Sequence, residues 1–332
     1  MAEFAELSGL SRPTVSKFFD NPTSVRPSTR ARIEAALARY DYRPNFFATN
    51  LNRRHAKIIG MIVPDLADPF YVRLVQVVES KANAAGIFLL VLSSRGEAHL
   101  EAHAVETLLS LKVSGAILAP LGQSTESELV GNLHARIPLV FLDSGLDLPV
   151  PFVGNDNAQS VPLITEYLCR TGEPPTFFEA PPVNHIGAER RDAYVGTMER
   201  LGLQPEFITV PSRRDWRFEA IGYNETERLL EGAGLPTRTV LCSNDRMAMG
   251  VLAAAHAHRL KVGRESDCDL RVAGHDDQPL SRFACPSLTT VAQDFEQIGT
   301  RALELLLGGI EDGQNAAEQF RCEARIVMRQ SA

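Results

Sequence analysis

Beyond residue 57, short apolar runs alternate with longer segments of helical pattern, and this alternation constrains the fold more than any other feature. Eight runs are apolar almost throughout, which predicts strands buried on both faces. They lie at 58–63, 87–92, 116–119, 139–142, 177–178, 207–210, 239–242 and 270–274. Such alternation indicates parallel sheets covered by helices on both sides. Because about 260 residues is long for one sheet, we predict two doubly wound lobes with a ligand cleft at the carboxyl ends of their strands.

The segments between these runs have the length and apolar spacing of helices. They predict helices at 72–85, 100–111, 158–170, 189–201, 219–230 and 245–258. Residues 1–44 follow a different pattern, which predicts three short helices at 2–8, 12–19 and 27–40. Ser11 is placed to accept a free backbone N–H at the start of the second, and Pro27 suits the first turn of the third.

The first two predicted helices flank a turn that contains Gly9, which is the spacing of a helix-turn-helix motif. Leu10 and Val15 are placed to pack inward. The residues expected to point outward are Arg12, Thr14, Ser16 and Lys17. The second helix of such a motif lies in the major groove of DNA. Spacing alone does not separate DNA binding from a small structural domain with solvated charges.

Charge is divided unevenly along the chain. Residues 1–55 carry nine basic and five acidic side chains, a net charge of +4. The remainder carries 25 basic and 36 acidic side chains, a net charge of −11. A basic head on an acidic body indicates that only the head meets a polyanion such as DNA.

Other features argue against several classes of protein. No run of about 18 apolar residues is present, so we expect no membrane span, and the acidic start predicts no secretory signal. The five cysteines are odd in number and scattered, which is typical of reduced thiols in a cytoplasm. Sequence motifs of nucleotide, serine-hydrolase and zinc-peptidase sites are missing, so we expect no enzyme and no cofactor. His99 and His103 are four residues apart, but without a third ligand in view we expect no metal site.

Three segments of the head identify a family. Residues 5–17 read AELSGLSRPTVSK, residues 25–30 read VRPSTR and residues 42–45 read YRPN. With them the chain closely resembles the LacI/GalR, or lactose-repressor, family of bacterial transcriptional regulators. The resemblance continues through IGMIVPD at 59–65, DPFY at 68–71, NDRMAMG at 244–250, GHDD at 274–277 and LTTV at 288–291. Several motifs in the same order are far more specific than any one of them.

The resemblance implies an α/β protein with a helix-turn-helix domain at 1–44, a hinge linker with a short helix at 45–56, and a body at 57–332. The body would be two-lobed, like the periplasmic sugar-binding proteins. One lobe would hold about 57–156 and 294–315, and the other about 157–293 and 316–330. We therefore expect a cytoplasmic homodimer whose two heads bind a pseudo-palindromic operator.

The same resemblance assigns residues to DNA. It gives base reading to Arg12, Pro13 and Lys17, and phosphate contacts to Thr14, Ser16 and Asn45. Leu51 stands where the family inserts a leucine between base pairs of the minor groove, which bends the duplex and opens contact surface. Two departures occur. Arg26 replaces a usual capping serine, and no Ser or Thr precedes the first helix, so we expect this helix to fray or the start to lie upstream.

For the cleft, the resemblance places polar groups at strand ends against hydroxyls, and aromatic faces against a sugar ring. The matching residues are Phe70, Asp143, Arg190, Trp216, Asn244, Asp276, Gln293 and Phe295. Singly, each has a structural alternative. An arginine on a helix, such as Arg190, is more often solvated than bound to a ligand. Asn244 and Asp245 precede a predicted helix and suit its cap, which we assign to Asp245. Together they favour a polyol, while Arg213 and Arg214 leave room for a sugar acid or phosphate.

We therefore predict a ligand-responsive transcriptional regulator, a repressor of carbohydrate-utilisation genes whose operator affinity changes with a sugar or sugar derivative. Two alternatives stay open. One is a regulator that answers a nucleobase or another co-repressor that is not a sugar. The other is a sugar-binding or enzymatic module with a non-functional helical head.

Overall fold

The structure, a computed structural model, describes residues 2–20, 22–42, 57–210, 214–313 and 317–332. The chain divides into two units, Met1–Lys57 and Ile58–Ala332. The predicted hinge at 45–56, with Asn45 and Leu51, lies outside the described residues.

Three helices form the described part of the first unit: α1 (Ala2–Ser8), α2 (Arg12–Asp20) and α3 (Pro27–Tyr40). They enclose a small core centred on Phe4, Val15 and Ile33, all three fully buried. The helices predicted at 2–8, 12–19 and 27–40 are thus confirmed to within one residue. Pro27 lies in the first turn of α3, and Arg26 before it makes no side-chain cap, as its replacement of serine implied.

The first lobe of the second unit is built on a parallel sheet of six described strands. These are β1 (Ile58–Val63), β2 (Phe88–Ser93), β3 (Ala116–Leu118), β4 (Leu139–Leu142), β5 (Phe152–Asn155) and β11 (Gln319–Cys322), in the order β11-β5-β4-β3-β1-β2. The helices of this lobe are α4 (Pro69–Ala84), α5 (Ala98–Leu111), α6 (Ser127–His134) and α11 (Phe295–Asp312). The core has one apolar cluster on each face of the sheet, as doubly wound sheets require.

The second lobe has a parallel sheet of four described strands in the order β7-β6-β8-β9. They are β6 (Thr176–Phe178), β7 (Glu206–Ile208), β8 (Thr239–Cys242) and β9 (Arg271–Ala273). Its helices are α7 (Asn157–Thr171), α8 (Ile186–Arg200), α9 (Phe218–Leu230) and α10 (Asp245–Ala257). An antiparallel pair, β10 (Thr290–Ala292) with β12 (Arg325–Val327), accompanies this sheet.

Helices α9 and α10 pack backbone against backbone. An added Cβ on Gly222 would collide with the main chain of Met247, and one on Gly250 with the main chain of Glu219. Glycine at both positions is therefore what allows the two helices to approach so closely.

All eight predicted strands are present, and β1, β4 and β8 have the predicted bounds. Four described strands were not predicted: β5, β10, β11 and β12. The residues of β11 alternate polar with apolar and only one of the four is buried, so it lacks the signal of a buried parallel strand. Since β11 pairs with β5, the assignment of all of 316–330 to the second lobe is wrong for Gln319–Cys322. No helix in the described parts of the chain is long and apolar enough to cross a membrane.

Candidate functional site

In the head, the predicted DNA-facing residues lie on or beside the start of α2. The Ser11 hydroxyl accepts the backbone N–H of Thr14 at 3.4 Å, so Ser11 caps this helix as predicted. Val15 points into the core, while Arg12 and Lys17 are exposed. Pro13 is exposed as well, and Thr14 and Ser16 are half-buried. The helix thus presents its basic side chains to solvent on the face opposite the core.

A pocket lies between the two lobes, at the carboxyl ends of the strands of both sheets. It holds about 490 Å³ of space free of atoms, including its opening to solvent. Six of the eight predicted effector-binding residues line it: Phe70, Asp143, Arg190, Trp216, Asn244 and Asp276. The first turn of α4 supplies Phe70, the loop after β4 supplies Asp143, and the second lobe supplies the rest. The structure therefore brings together side chains that are up to 206 positions apart in the chain.

The other two predicted residues stand behind the pocket wall. Gln293 does not line it, but its side-chain amide donates to Asp276 Oδ1 at 2.8 Å. Phe295 packs edge-on against Phe70, with ring centroids 5.4 Å apart. Both residues act in this structure on groups that line the pocket, so the prediction of direct contact with a ligand is not supported for them.

A buried ion pair forms the polar floor of the second lobe. Arg190 Nη2 donates to Asp276 Oδ1 at 2.9 Å, and Nη1 donates to the carbonyl of Ser243 at 2.6 Å. Arg190 Nε donates to Asn157 Oδ1 at 3.2 Å. Arg190 is therefore a buried, fixed side chain and not the solvated one that was its alternative. Asp276 Oδ2 has no hydrogen-bond partner among the described residues.

The helix cap falls one residue before the predicted position. Asn244 caps α10, with Oδ1 accepting the backbone N–H of Met247 at 2.9 Å, so the assignment of the cap to Asp245 is wrong. Asp245 instead turns inward and is fully buried. Its carboxylate accepts from the hydroxyls of Ser281 and Thr290, each at 2.5 Å, and so ties down the loop after β9.

Several lining residues were missed by the sequence argument, and two of them join the lobes. Arg246 of the second lobe donates through Nη1 to Asp68 Oδ2 of the first at 3.1 Å. Its Nε and Nη2 bind both oxygens of Glu219 at 2.7 and 2.8 Å. Tyr71, also missed, donates its hydroxyl to Asp143 Oδ2 at 2.9 Å. Asp68 caps α4, which begins at Pro69, and this structural role explains its presence in the sequence without its ion pair with Arg246.

The aromatic wall of the pocket also spans both lobes. Trp216 packs edge-on against Phe218, with centroids 5.8 Å apart, and lies 6.4 Å from the ring of Tyr71. Its indole also covers Gly96 of the first lobe, where an added Cβ would overlap Cδ1 and Nε1 of the indole. Trp216, predicted to cover a ligand ring, thus lines the pocket and touches the opposite lobe.

The carboxylates of the pocket differ in their tendency to ionise. Burial raises the pKa of Asp143 to about 7 and that of Asp68 to about 6, although the charges of Arg190 and Arg246 respectively oppose the shift. Burial would also raise the pKa of Asp276, but the Arg190 guanidinium and the hydrogen bond from His275 hold it below its ordinary value. Asp276 is therefore the member of the three that ionises most readily.

Ser160, His275 and Asp276 are linked as in a serine-hydrolase triad. The Ser160 hydroxyl lies 2.9 Å from His275 Nε2, and His275 Nδ1 lies 3.1 Å from Asp276 Oδ1. Burial and the Arg190 charge lower the pKa of His275 to about 4, so the neutral ring donates from Nδ1 and accepts at Nε2. Ser160 is fully buried and does not line the pocket. The chain of hydrogen bonds therefore orients Asp276 and offers no nucleophile to a substrate.

Comparison with known proteins agrees with both halves of this description. The family "Bacterial regulatory proteins, lacI family" matches residues 1–45, and "Periplasmic binding protein-like domain" matches residues 175–332. The HTH-type transcriptional repressor CytR of Escherichia coli (strain K12) is 30% identical over 340 residues, covering 100% of this chain and 95% of CytR. This chain belongs to the LacI family. The prediction of the LacI/GalR family is thereby confirmed.

Other LacI-family proteins agree over the full length. The ribose operon repressor of Escherichia coli (strain K12) is 27% identical over 335 residues, covering 100% of this chain and 99% of that protein. The lac repressor dimer bound to operator and the anti-inducer ONPF matches with a TM-score of 0.83 at 27% identity, covering 99% of this chain and 97% of that one. These similarities confirm the predicted α/β fold with its helix-turn-helix head and periplasmic-binding-protein-like body. Both curated relatives are named as repressors and neither as an enzyme, in agreement with the prediction of a regulator.

Proposed function

We propose that this LacI-family protein is a repressor of carbohydrate-utilisation genes that binds operator DNA as a homodimer and answers a sugar or polyol. One observation carries the proposal: a helix-turn-helix head and a cleft of carboxylate, amide, guanidinium and aromatic side chains occur in the same chain. Since its target would be chromosomal DNA, we place the protein in the cytoplasm.

The head supports the DNA half of the proposal. Arg12 and Lys17 are exposed at the start and middle of α2, where the second helix of such a motif meets base edges. We assign base reading to these two residues and to Pro13, and phosphate contacts to Thr14, Ser16 and Asn45. Leu51 is the proposed wedge in the minor groove. Two heads related by two-fold symmetry would read a pseudo-palindrome. A similar solved structure is named as a lac repressor dimer bound to operator, in keeping with a dimer that binds DNA.

The pocket supports the ligand half. Asp276 offers a free oxygen and Asp143 a second buried carboxylate, both suited to accept ligand hydroxyls. Trp216, Phe218 and Phe70 supply apolar faces for a ring. A relative of this chain is named a ribose operon repressor, in keeping with a sugar effector. Residues of both lobes line the pocket, so a bound ligand would alter how the lobes meet, and the coupling to DNA would be about 5–150-fold.

A gel shift on the DNA upstream of the protein's own gene tests the first half. We expect the full chain to retard this DNA in a salt-dependent and sequence-specific way. If it binds specifically neither to this DNA nor to any member of a randomised operator library, the alternative of a module with a non-functional helical head is supported instead. A thermal-shift screen of sugars, polyols, nucleosides and purines tests the second half. Hits confined to nucleosides or purines would replace the sugar by a nucleobase ligand while keeping the DNA function.

A further inference from the structure

We propose that the effector is a neutral or positively charged molecule rich in hydrogen-bond donors, and that the pocket rejects sugar acids and sugar phosphates. The inference rests on the proposed function, because it concerns the ligand of the same cleft. The inference rests on the pairing of the charged side chains that line the pocket, since these pairs decide which charges remain for a ligand.

Two guanidinium groups line the pocket, and the positive charge of the first is already balanced within the protein. Arg190 donates from Nη2 to Asp276, from Nη1 to the carbonyl of Ser243 and from Nε to Asn157, which uses three of its five N–H donors. Its charge is balanced by Asp276 at 2.9 Å, and both side chains are buried. An anionic ligand could take over the positive charge of Arg190 only by weakening this ion pair, which would leave Asp276 ionised without its counter-charge in a buried site.

The second guanidinium is shared by two carboxylates. Arg246 binds Glu219 through two parallel hydrogen bonds at 2.7 and 2.8 Å, and Asp68 through a third at 3.1 Å. One positive charge here faces two potential negative charges. Arg246 therefore has no charge to spare for a ligand, and the described lining of the pocket contains no lysine and no further arginine.

The carboxylates, in contrast, exceed their cationic partners. Asp68, Asp143 and Asp276 all line the pocket. Asp143 is buried and forms its hydrogen bond with the hydroxyl of Tyr71, while no described cation contacts it. A fourth carboxylate, Asp245, is fully buried next to the pocket and is held only by neutral donors.

This arrangement favours donors over acceptors in the ligand. Hydroxyl or ammonium hydrogens would satisfy Asp143 and the open oxygen of Asp276. A ligand carboxylate or phosphate would instead face the ionised Asp276, and above about pH 7 the ionised Asp143 as well, without a free cation. In a buried site, such uncompensated repulsion weakens binding by on the order of 100-fold. Arg214, which the sequence offered to an acidic ligand, is exposed and does not line the pocket, and Arg213 lies outside the described residues.

The test uses matched ligands, so that only charge varies. Ribose, glucose and galactose are each compared with their aldonic acid, their terminal phosphate ester and their 2-amino derivative by thermal shift and titration calorimetry on the full chain, at pH 8, where Asp143 is mainly ionised. On any skeleton that binds, the neutral or amino member should bind at least about 100-fold more tightly than the acid and the phosphate. An acid or phosphate that binds as tightly as its neutral parent overturns the inference but leaves a sugar-derived effector in place. Failure of all members on all three skeletons would instead contradict the sugar effector itself, and the inference with it.

The variant Asp143→Asn places the effect on one residue, because the amide keeps the size of the side chain and removes its charge. Its preference for an amino sugar over the corresponding acid should fall by about 10-fold or more. Asp147→Asn is the matched control, since Asp147 is an exposed carboxylate of the same loop that does not line this pocket. The inference fails if the two variants change the preference equally, with melting temperatures used to verify that both are folded.

Discussion

Replacing Gly96 with alanine should expel Trp216 from the first lobe. Gly96 has φ +74°, and an added Cβ would overlap the indole ring far inside van der Waals contact. The backbone conformation itself costs alanine about 1–2 kcal/mol. Displacing the indole adds a second cost, because Trp216 then loses its ring contacts with Phe218 and Tyr71, at about 0.5–1.5 kcal/mol for each aromatic pair. The expected loss of unfolding free energy is about 2–5 kcal/mol in total.

Gly202 provides a control in which alanine meets the same backbone strain but collides with no neighbouring atom. Its φ is +71°, and an added Cβ would meet nothing within 4 Å. Gly202→Ala should therefore cost only the backbone term of about 1–2 kcal/mol. Urea unfolding of both variants separates the two contributions.

Intrinsic fluorescence reports the displacement directly, because Trp216 is the only tryptophan in the chain. Emission of Gly96→Ala should move to longer wavelength as the indole enters water, while emission of Gly202→Ala should match that of the wild type. If the two variants have the same emission maximum and lose the same stability, Trp216 does not bridge the lobes in solution and the reasoning is refuted.

Three further predictions concern other parts of the molecule. Arg12→Ala should weaken operator binding by about 1–3 kcal/mol and relax specificity at one symmetric pair of bases, whereas Arg39→Ala, on α3, should not alter base preference in a binding-site selection. Asp276→Ala should lower effector affinity at least about 10-fold in calorimetry while operator affinity in gel shifts stays within about twofold; wild-type effector binding would contradict the site. The pKa of Asp143 is higher when folded, about 7 against an ordinary 3.8, so its proton stabilises the fold at low pH and that contribution is lost as pH rises through 7. The variant Asp143→Asn has no carboxyl group to titrate, so it does not lose this contribution. In urea titrations, its free energy of unfolding relative to that of the wild type should therefore rise by on the order of 4 kcal/mol between about pH 4 and pH 8. A difference that does not change with pH would refute the assignment.

The strands that the sequence predicted best are those with an unbroken apolar run, such as β1, because burial on both faces leaves a signal in composition alone. Strand β11 escaped prediction since only one of its four residues is buried and its partner β5 lies 164 or more positions earlier in the chain. Pairing at that separation is decided by tertiary packing and not by local pattern.

The candidate site shows the same limit. Residues such as Arg190 and Asp276 were found by resemblance, and Asp276 lies within the GHDD motif at 274–277. Arg246 was missed although it lies within one, because a helical arginine is ordinarily solvated and only the structure shows it reaching Asp68 on the opposite lobe. Which ion pairs form, and hence which charges are left for a ligand, depends on distances between lobes that one-dimensional pattern does not contain.

The glycine contact between α9 and α10 has a consequence for how ligand preference could change. Phe218 and Glu219 begin α9, while Asn244 caps α10 and Asp245 and Arg246 begin it, so both groups stand on two helices that are in direct backbone contact. Exchanging side chains at the helix starts would therefore alter the shape and charge of the pocket without disturbing its frame. In such a chain, ligand selectivity can change through substitutions at the helix starts, while Gly222 and Gly250 keep the two helices in contact.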